Sequence, residues 1–336
     1  MNKALITCLI LCVVVLAACT QQQQTTSRPL YTGSDGVKLM FPQSNALKQF
    51  QNDNFTVAVR LENDGAFDVS TNNPGFITAT FDPAIVSLVG FQISSAMGDD
   101  AAIKKATTDA GCTPKAGDAF ACSAFAVRGR SQYLSVGDIS FAEFTFTAKR
   151  LVDSRSKATT PLTIQACYPY TTVFIANICV DRDLTTNNPS APCDSTLISV
   201  QPQGAPVAVT TVVPRYTRSG DGVTARYEIT LRNIGKGFII APGPTSKDAC
   251  NLENLARTEY GFARIAANLS TIPLNCGFTT ENTVRFDKNE AKVLCSYTGK
   301  SLPGTLVGGA NYEAPLIITA QYYYIDKITS QLEVTR

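Results

Sequence analysis

The sequence contains no histidine and no tryptophan among its 336 residues. Without histidine the chain cannot build a Ser-His-Asp or Cys-His arrangement, and it lacks the commonest metal ligand. Without tryptophan it lacks the best stacking platform for sugars and cations. No dense block of one charge occurs either: 29 Lys and Arg stand against 27 Asp and Glu, a net charge of +2. Nucleic acid is therefore not an expected partner, because phosphate binding needs a concentrated positive surface. No Cys-x-x-Cys pair is present, so the cysteines do not read as a metal site. Carboxylate pairs and Ser-Lys pairs are the enzyme designs left open. No catalytic residue, cofactor or metal is assigned.

The N-terminus carries the most informative stretch. Met1-Asn2-Lys3 supplies a small positive region, and Ala4 to Val15 is apolar except for Thr7. Leu16-Ala17-Ala18-Cys19 then ends in a small-small pair before a cysteine, as a signal-peptide cleavage site requires. The apolar run is shorter than the roughly 20 residues a helix needs to cross a bilayer, and no later run approaches that length. This tetrad resembles the lipobox of bacterial-type lipoproteins. The resemblance implies that residues 1–18 are a signal peptide and that Cys19 is lipidated. The protein is then expected to be exported and anchored through lipid to the outer face of a membrane, at the cell surface or in the periplasm.

Cleavage after residue 18 of 336 leaves 318 residues, enough for two domains. Hydrophobic content of 44% with 17% charged residues describes a chain that buries real cores. The cysteines fit an oxidising compartment. Cys8 and Cys12 leave with the signal, Cys19 carries lipid, and eight remain: Cys112, Cys122, Cys167, Cys179, Cys193, Cys250, Cys276 and Cys295. An even count of this kind reads as disulfides.

Residues 19–30 are polar and low in complexity, as expected of a lipidated flexible tether. Beyond them, period-two alternation dominates. Phe55, Val57, Val59 and Leu61 alternate with Thr56, Ala58, Arg60 and Glu62; Ala225, Tyr227, Ile229 and Leu231 alternate with Arg226, Glu228, Thr230 and Arg232. Phe144, Phe146 and Ala148, and the run Leu316 to Tyr324, follow the same rule. Successive strand residues point to opposite sheet faces, so each pattern is a strand with one buried face. Strand-like runs also occur at Phe76–Phe81, Ile85–Phe91, Leu162–Tyr168, Thr172–Val180, Val207–Pro214, Thr271–Phe278 and Ala291–Tyr297, and a helix is expected within Ser95–Asp109. The expected class is all-β, with antiparallel β-sandwiches.

Two strands look like copies. Leu61-Glu62-Asn63-Asp64-Gly65 and Leu231-Arg232-Asn233-Ile234-Gly235 share Leu-x-Asn-x-Gly at the end of an alternating strand. The Pro/Gln/Gly stretch 200–206 lies between them and reads as a linker. Two Ig-like domains are expected, 31–199 and 207–336. The arrangement resembles tandem CARDB-type Ig-like modules (cell-adhesion-related domains) of bacterial and archaeal surface proteins, most closely over Val207–Ile240. That resemblance implies a binding or spacer module and no catalytic residues.

Several residues are candidates for sites. Tyr322-Tyr323-Tyr324, with Tyr168 and Tyr170, offer an aromatic surface for glycan or protein, against the alternative of core tyrosines with a hydroxyl at the surface. Asp181-Arg182-Asp183 and Asp99-Asp100 cluster oxygens but lack the spacing of a calcium loop. Asn54-Phe55-Thr56 and Asn268-Leu269-Ser270 fit the N-glycosylation pattern. Gly220-Asp221-Gly222 and Gly308-Gly309 read as turns.

Counting constrains the disulfides. Five cysteines fall in 31–199 and three in 207–336, so complete pairing demands a bridge between the two stretches. Cys112–Cys122 and Cys276–Cys295 are the expected local pairs. Of the three pairings then left, Cys167–Cys179 with Cys193–Cys250 is favoured, since Cys193 lies nearest the linker. The expected function is a non-catalytic, membrane-anchored surface module for adhesion, spacing or assembly, whose partner is another surface protein, a glycan or a copy of itself. An exported enzyme and a solute-binding lipoprotein are the alternatives.

Overall fold

The computed structural model describes residues 32–42, 47–94, 100–109, 120–152, 155–180, 197–199, 202–219, 222–242, 259–277, 282–299 and 312–336. Within them the chain forms β1 (Val37–Met40), β2 (Leu47–Phe50), β3 (Asn54–Asn63), β4 (Gly75–Thr80), β5 (Val86–Ser94), α1 (Asp100–Asp109), β6 (Phe120–Phe125), β7 (Ile139–Ala148) and β8 (Lys157–Val180). It continues as β9 (Ile198–Ser199), β10 (Val207–Ser219), β11 (Gly222–Asn233), β12 (Phe238–Ile240), β13 (Phe262–Leu269), β14 (Ile272–Cys276), β15 (Thr283–Arg285), β16 (Glu290–Gly299) and β17 (Tyr312–Thr335). The protein is all-β, as its alternation requires. In β3 and β7 the inward residues Phe55, Val57, Val59, Leu61, Ala142, Phe144, Phe146 and Ala148 are all buried.

The strands build two sheets. One has four strands in the order β1-β3-β7-β5; the other has thirteen, with β6-β4-β8-β17-β13-β14-β16-β11-β10-β9 as its main path. All pairings are antiparallel except β2 with β17. The four-stranded sheet, with β4, β6, β2 and parts of β8 and β17, makes one lobe. The strands β9 to β16, with the remainders of β8 and β17, make the other.

The spine of the molecule is the pairing of β8 with β17. Each is 24 residues long, and they pair without a break from Lys157↔Thr335 to Val180↔Tyr312. At about 3.3 Å per residue such a ribbon is roughly 80 Å long. Its register sets Tyr168 opposite Tyr324, Pro169 opposite Tyr323, and Tyr170 opposite Tyr322. The two stretches expected as separate strands, 162–168 and 172–180, are therefore one strand passing through Pro169. A proline fits there because β4 ends opposite Cys167, which leaves no strand among the described residues on that edge of β8 beside residue 169. Each lobe thus draws strands from both sides of residues 200–206.

The ribbon also carries a repeat beyond Leu-x-Asn-x-Gly. Pro161-Leu162-x-Ile164-x-Ala166-x-Tyr168-x-Tyr170 recurs as Pro315-Leu316-x-Ile318-x-Ala320-x-Tyr322-x-Tyr324. The pairings around it repeat as well. Val37 faces Asn63 across β1 and β3, and Val207 faces Asn233 across β10 and β11. Asn63 Nδ2 donates to the carbonyl of Phe67 at 2.8 Å, and Asn233 Nδ2 to that of Gly237 at 2.9 Å. The Asn63 amide donates to Asp138 O at 3.1 Å, and that of Asn233 to Asn289 O at 2.8 Å. The chain is an intramolecular pseudo-dimer whose local two-fold passes between Pro169 and Tyr323.

Two further stretches have described residues in the structure. Of the stretch 200–206 read as a linker, residues 202–206 are described, and Gln203, Gly204, Ala205 and Pro206 are buried. Its polar groups are satisfied internally, with the Gln203 amide bonded to both backbone groups of Val209 and Gly204 O accepting from Tyr170. The helix is described over Asp100–Asp109, inside the expected Ser95–Asp109; residues 95–99 lie outside the described ones. Its Ile103 packs on Phe76, Ala124 and Ala126.

Candidate functional site

The tyrosines meet at the two-fold. Tyr168, Tyr170, Tyr322 and Tyr324 are each buried, and their rings form a closed ladder. Centroid distances are 5.9 Å for 168–170 and 168–324, 6.1 Å for 170–322 and 6.3 Å for 322–324. They do not form a glycan-binding surface. Alternation puts Tyr323 on the opposite face, where it is buried with Cys167, Ile240 and Ile325. The ladder face is covered by residues of both lobes, among them Val37, Phe67, Val207 and Gly237.

Each hydroxyl in the ladder holds backbone outside the ribbon, the first residue of a strand or a turn. Tyr168 Oη accepts from Val37 N at 3.1 Å and donates to Val37 O at 3.3 Å. Tyr322 Oη accepts from Val207 N at 3.2 Å and lies 3.0 Å from Thr172 Oγ1. Tyr170 Oη donates to Gly204 O at 2.9 Å and accepts from Phe67 N at 3.3 Å. Tyr324 Oη accepts from Gly237 N at 2.7 Å and donates to Asn233 Oδ1 at 3.2 Å. Burial disfavours the phenolate and lifts all four pKa values above the usual tyrosine value. The ladder is structural glue, with every hydroxyl neutral and engaged.

The two ends of the ladder differ in one respect. Around Tyr170 and Gly65 the space is filled: Gly204 O receives Ala66 N at 2.9 Å, and Arg130, with 1% of its side chain exposed, bonds Asp64 O at 2.8 Å and Thr32 O. Around Tyr324 and Gly235 the corresponding space is open. It forms a cleft of about 410 Å³ between β1 and the segment 34–36 leading into it, the 235–238 turn and β17 from Tyr324 to Ile328. That volume is within the range of small-ligand sites.

The polar walls of the cleft are Asp35, Lys38, Lys236, Asp326 and Lys327. Lys38 Nζ lies 3.0 Å from Asp35 and 2.8 Å from Asp64. Burial pulls the Lys38 pKa down, but the bonds to these carboxylates outweigh it and leave the value raised. Burial raises the Asp326 pKa; the Lys327 amide bond at 2.8 Å and the charge of Lys236 oppose that only in part, and Asp35 adds to it. Lys327 Nζ sits 5.9 Å from the ring centre of Phe238, a cation–π contact. Neither Lys236 nor Lys327 makes a salt bridge among the described residues. With Asp35 tied to Lys38, the wall offers two cations over a half-buried carboxylate and a strand edge.

Other candidate residues lie elsewhere. Asn54 is exposed at the start of β3, with Thr147 donating to its side chain. Asn268 is half-buried on β13, between Pro273 of β14 and Ile317 of β17. Cys276 and Cys295 face each other on β14 and β16 and are disulfide-bonded, S–S 2.03 Å. Cys122, Cys167 and Cys179 are also disulfide-bonded. Cys167 and Cys179 cannot be partners. They lie on the same extended strand, twelve residues or about 40 Å apart, whereas bridged Cα atoms lie within about 7 Å. Cys19, Cys112, Cys193, Cys250, Asp99, Asp181, Asp183, Gly220, Asp221, Gly308 and Gly309 lie outside the described residues. No cluster of three or more metal-ligating side chains occurs among the described residues. No helix among them is long and apolar enough to cross a membrane.

The sequence reading missed Lys236, Asp326 and Lys327, which carry no motif. A signal did exist for their surroundings, since the ten-residue Pro-Leu-x-Ile-x-Ala-x-Tyr-x-Tyr repeat ends at Tyr324, two residues before Asp326.

No protein-family model and no curated protein matches the chain. Solved structures show distant likeness. The sixth cohesin of Acetivibrio cellulolyticus scaffoldin B is 14% identical, covering 40% of this chain and 86% of its own, at a TM-score of 0.26. The C-terminal domain of the Streptococcus pyogenes antigen I/II-family protein AspA is 11% identical, covering 90% of this chain and all of its own, at 0.22. A partial N-terminal region of the enterococcal surface protein is 9% identical, covering 89% and 90%, at 0.21.

Proposed function

We propose that this chain is an exported, lipid-anchored surface protein that works by binding, not by catalysis, with stretches 31–199 and 207–336 as two copies of one Ig-like unit. The observation that carries the reading is the unbroken 24-residue pairing of β8 with β17. A ribbon shared by both lobes gives no hinge between them, so the cleft is a fixed recognition surface and not a closing trap for solute. Its charges favour the same reading. Asp35 is neutralised by Lys38, and Asp326 points into the cleft without a second uncompensated carboxylate. Anchoring through Cys19 is supported by the lipobox tetrad.

The test is mass spectrometry of the native N-terminal peptide together with membrane fractionation of a Cys19→Ala protein. A diacylglyceryl-modified Cys19 and release of the variant into the soluble fraction are expected. An unmodified peptide starting elsewhere, or a variant that stays on the membrane, refutes anchoring at this residue.

A further inference from the structure

The cleft is bordered by two strand edges, and the counterpart of one of them, that of β1, is covered in the other lobe. Val37 uses both backbone groups on Tyr168 Oη, so these point away from β3. Backbone direction repeats every second residue, which turns the N–H and C=O of Leu39 outward too. At the equivalent place in the other lobe, Val209 has both groups bonded to the Gln203 side chain at 2.8 and 3.0 Å. Beyond it β9 adds antiparallel to β10 at Thr211 and Val212. Leu39 has no such cover among the described residues. The facing edge of β17 is likewise bare: β12 covers 323–325 and β2 covers 332–335, leaving 326–331 without a strand on that side among the described residues.

We infer that this edge is a strand-addition site for an extended peptide of a partner protein, which pairs with β1 at Leu39 and places an acidic side chain between Lys236 and Lys327. The structure supports each part. Strand addition at such an edge is already realised by β9 on β10, so the geometry takes an added strand. Backbone pairing gives affinity to an extended guest, and side-chain contacts select it. The two lysines carry no salt bridge among the described residues, which suits an acidic guest. Ile328, half-buried on the floor, gives an apolar seat beside them. This inference rests on the binding-module reading and specifies the class of its partner.

The test pans a phage-displayed library of random decapeptides against the full chain with its disulfides intact, then follows hydrogen exchange with a recovered peptide bound. Expected are peptides bearing Asp or Glu that slow exchange of the Leu39 amide. N-methylation of alternate peptide residues should abolish binding in one phase and spare it in the other. A Lys236→Glu/Lys327→Glu protein should bind at least about ten-fold more weakly, while Lys236→Arg/Lys327→Arg retains binding. Recovery of no peptide overturns the inference. Peptides that bind without changing Leu39 exchange overturn strand addition while leaving a binding module in place. A Leu39 amide already protected in the free chain, and released by deleting residues 19–31, shows that the chain fills its own groove and also overturns it.

Discussion

The hydroxyl of Tyr324 occupies the space that any side chain at Gly235 would need: a Cβ on Gly235 would lie 2.3 Å from it. Tyr170 stands in the same relation to Gly65, at 1.7 Å. The glycine of each Leu-x-Asn-x-Gly turn is thus fixed by a tyrosine of the Tyr-x-Tyr repeat, and the two motifs form one device used twice.

A mutant cycle tests that coupling. Gly235→Ala should destabilise by upwards of about 2 kcal/mol through overpacking. Tyr324→Phe should cost about 1–3 kcal/mol by leaving Gly237 N without its acceptor. The double mutant should cost less than the sum by at least about 0.5 kcal/mol, because removing the hydroxyl relieves the clash. Pro206, 2.9 Å from the same Cβ, keeps the rescue incomplete. Denaturant unfolding of the four proteins reads the coupling, and strict additivity would contradict it.

The shared ribbon predicts a single unfolding event. Neither lobe keeps all its strands if the other opens, so calorimetry of the oxidised protein should give one transition with equal calorimetric and van't Hoff enthalpies. Two resolved peaks would mean that the lobes are independent.

Asp326 predicts a pH dependence. Burial raises its folded pKa above the ordinary carboxylate value, so its charged form is disfavoured by folding. Below that ordinary value both folded and unfolded states hold the proton, and no penalty exists. The penalty builds as pH rises from that ordinary value towards the folded pKa and is complete above the folded pKa. Asp326→Asn should therefore raise the Tm at pH 7, with the gain vanishing as pH falls towards the ordinary carboxylate range. A gain that grows on acidification would reverse the assignment.

The bridge joining the two copies is expected at Cys167–Cys250. Cys167 packs against Ile240, ten residues before Cys250 in the chain, and it cannot reach Cys179. Cys112–Cys122 and Cys179–Cys193 are then the remaining pairs beside Cys276–Cys295. Non-reducing peptide mapping reads this directly. Bridged peptides confined to one copy, with two thiols titrating free, would exclude a bridge between the copies.

Local sequence determined which residues face inward and what class of fold they make. Phe55, Val57, Val59 and Leu61 declare a buried face by alternation alone, because side chains on a strand alternate strictly. The repeated Asn-x-Gly turns were legible as a recurring motif, and each Asn side chain bonds its own turn, but the glycines are demanded by Tyr170 and Tyr324, which sequence alone does not bring near. What alternation leaves open is which strand pairs with which, and that was decided in three dimensions. Pro169 reads locally as a break, yet β8 runs through it, with no strand among the described residues beside that position on the outer edge. Tyr322 and Tyr324 alternate like half-exposed strand residues and are buried only because the second lobe closes over them. The cleft is the furthest from the sequence. Lys236 comes from the turn before β12 and Asp326 and Lys327 from β17, and they line one cleft only because β12 pairs with β17, Phe238 opposite Ile325, across a gap of some ninety positions.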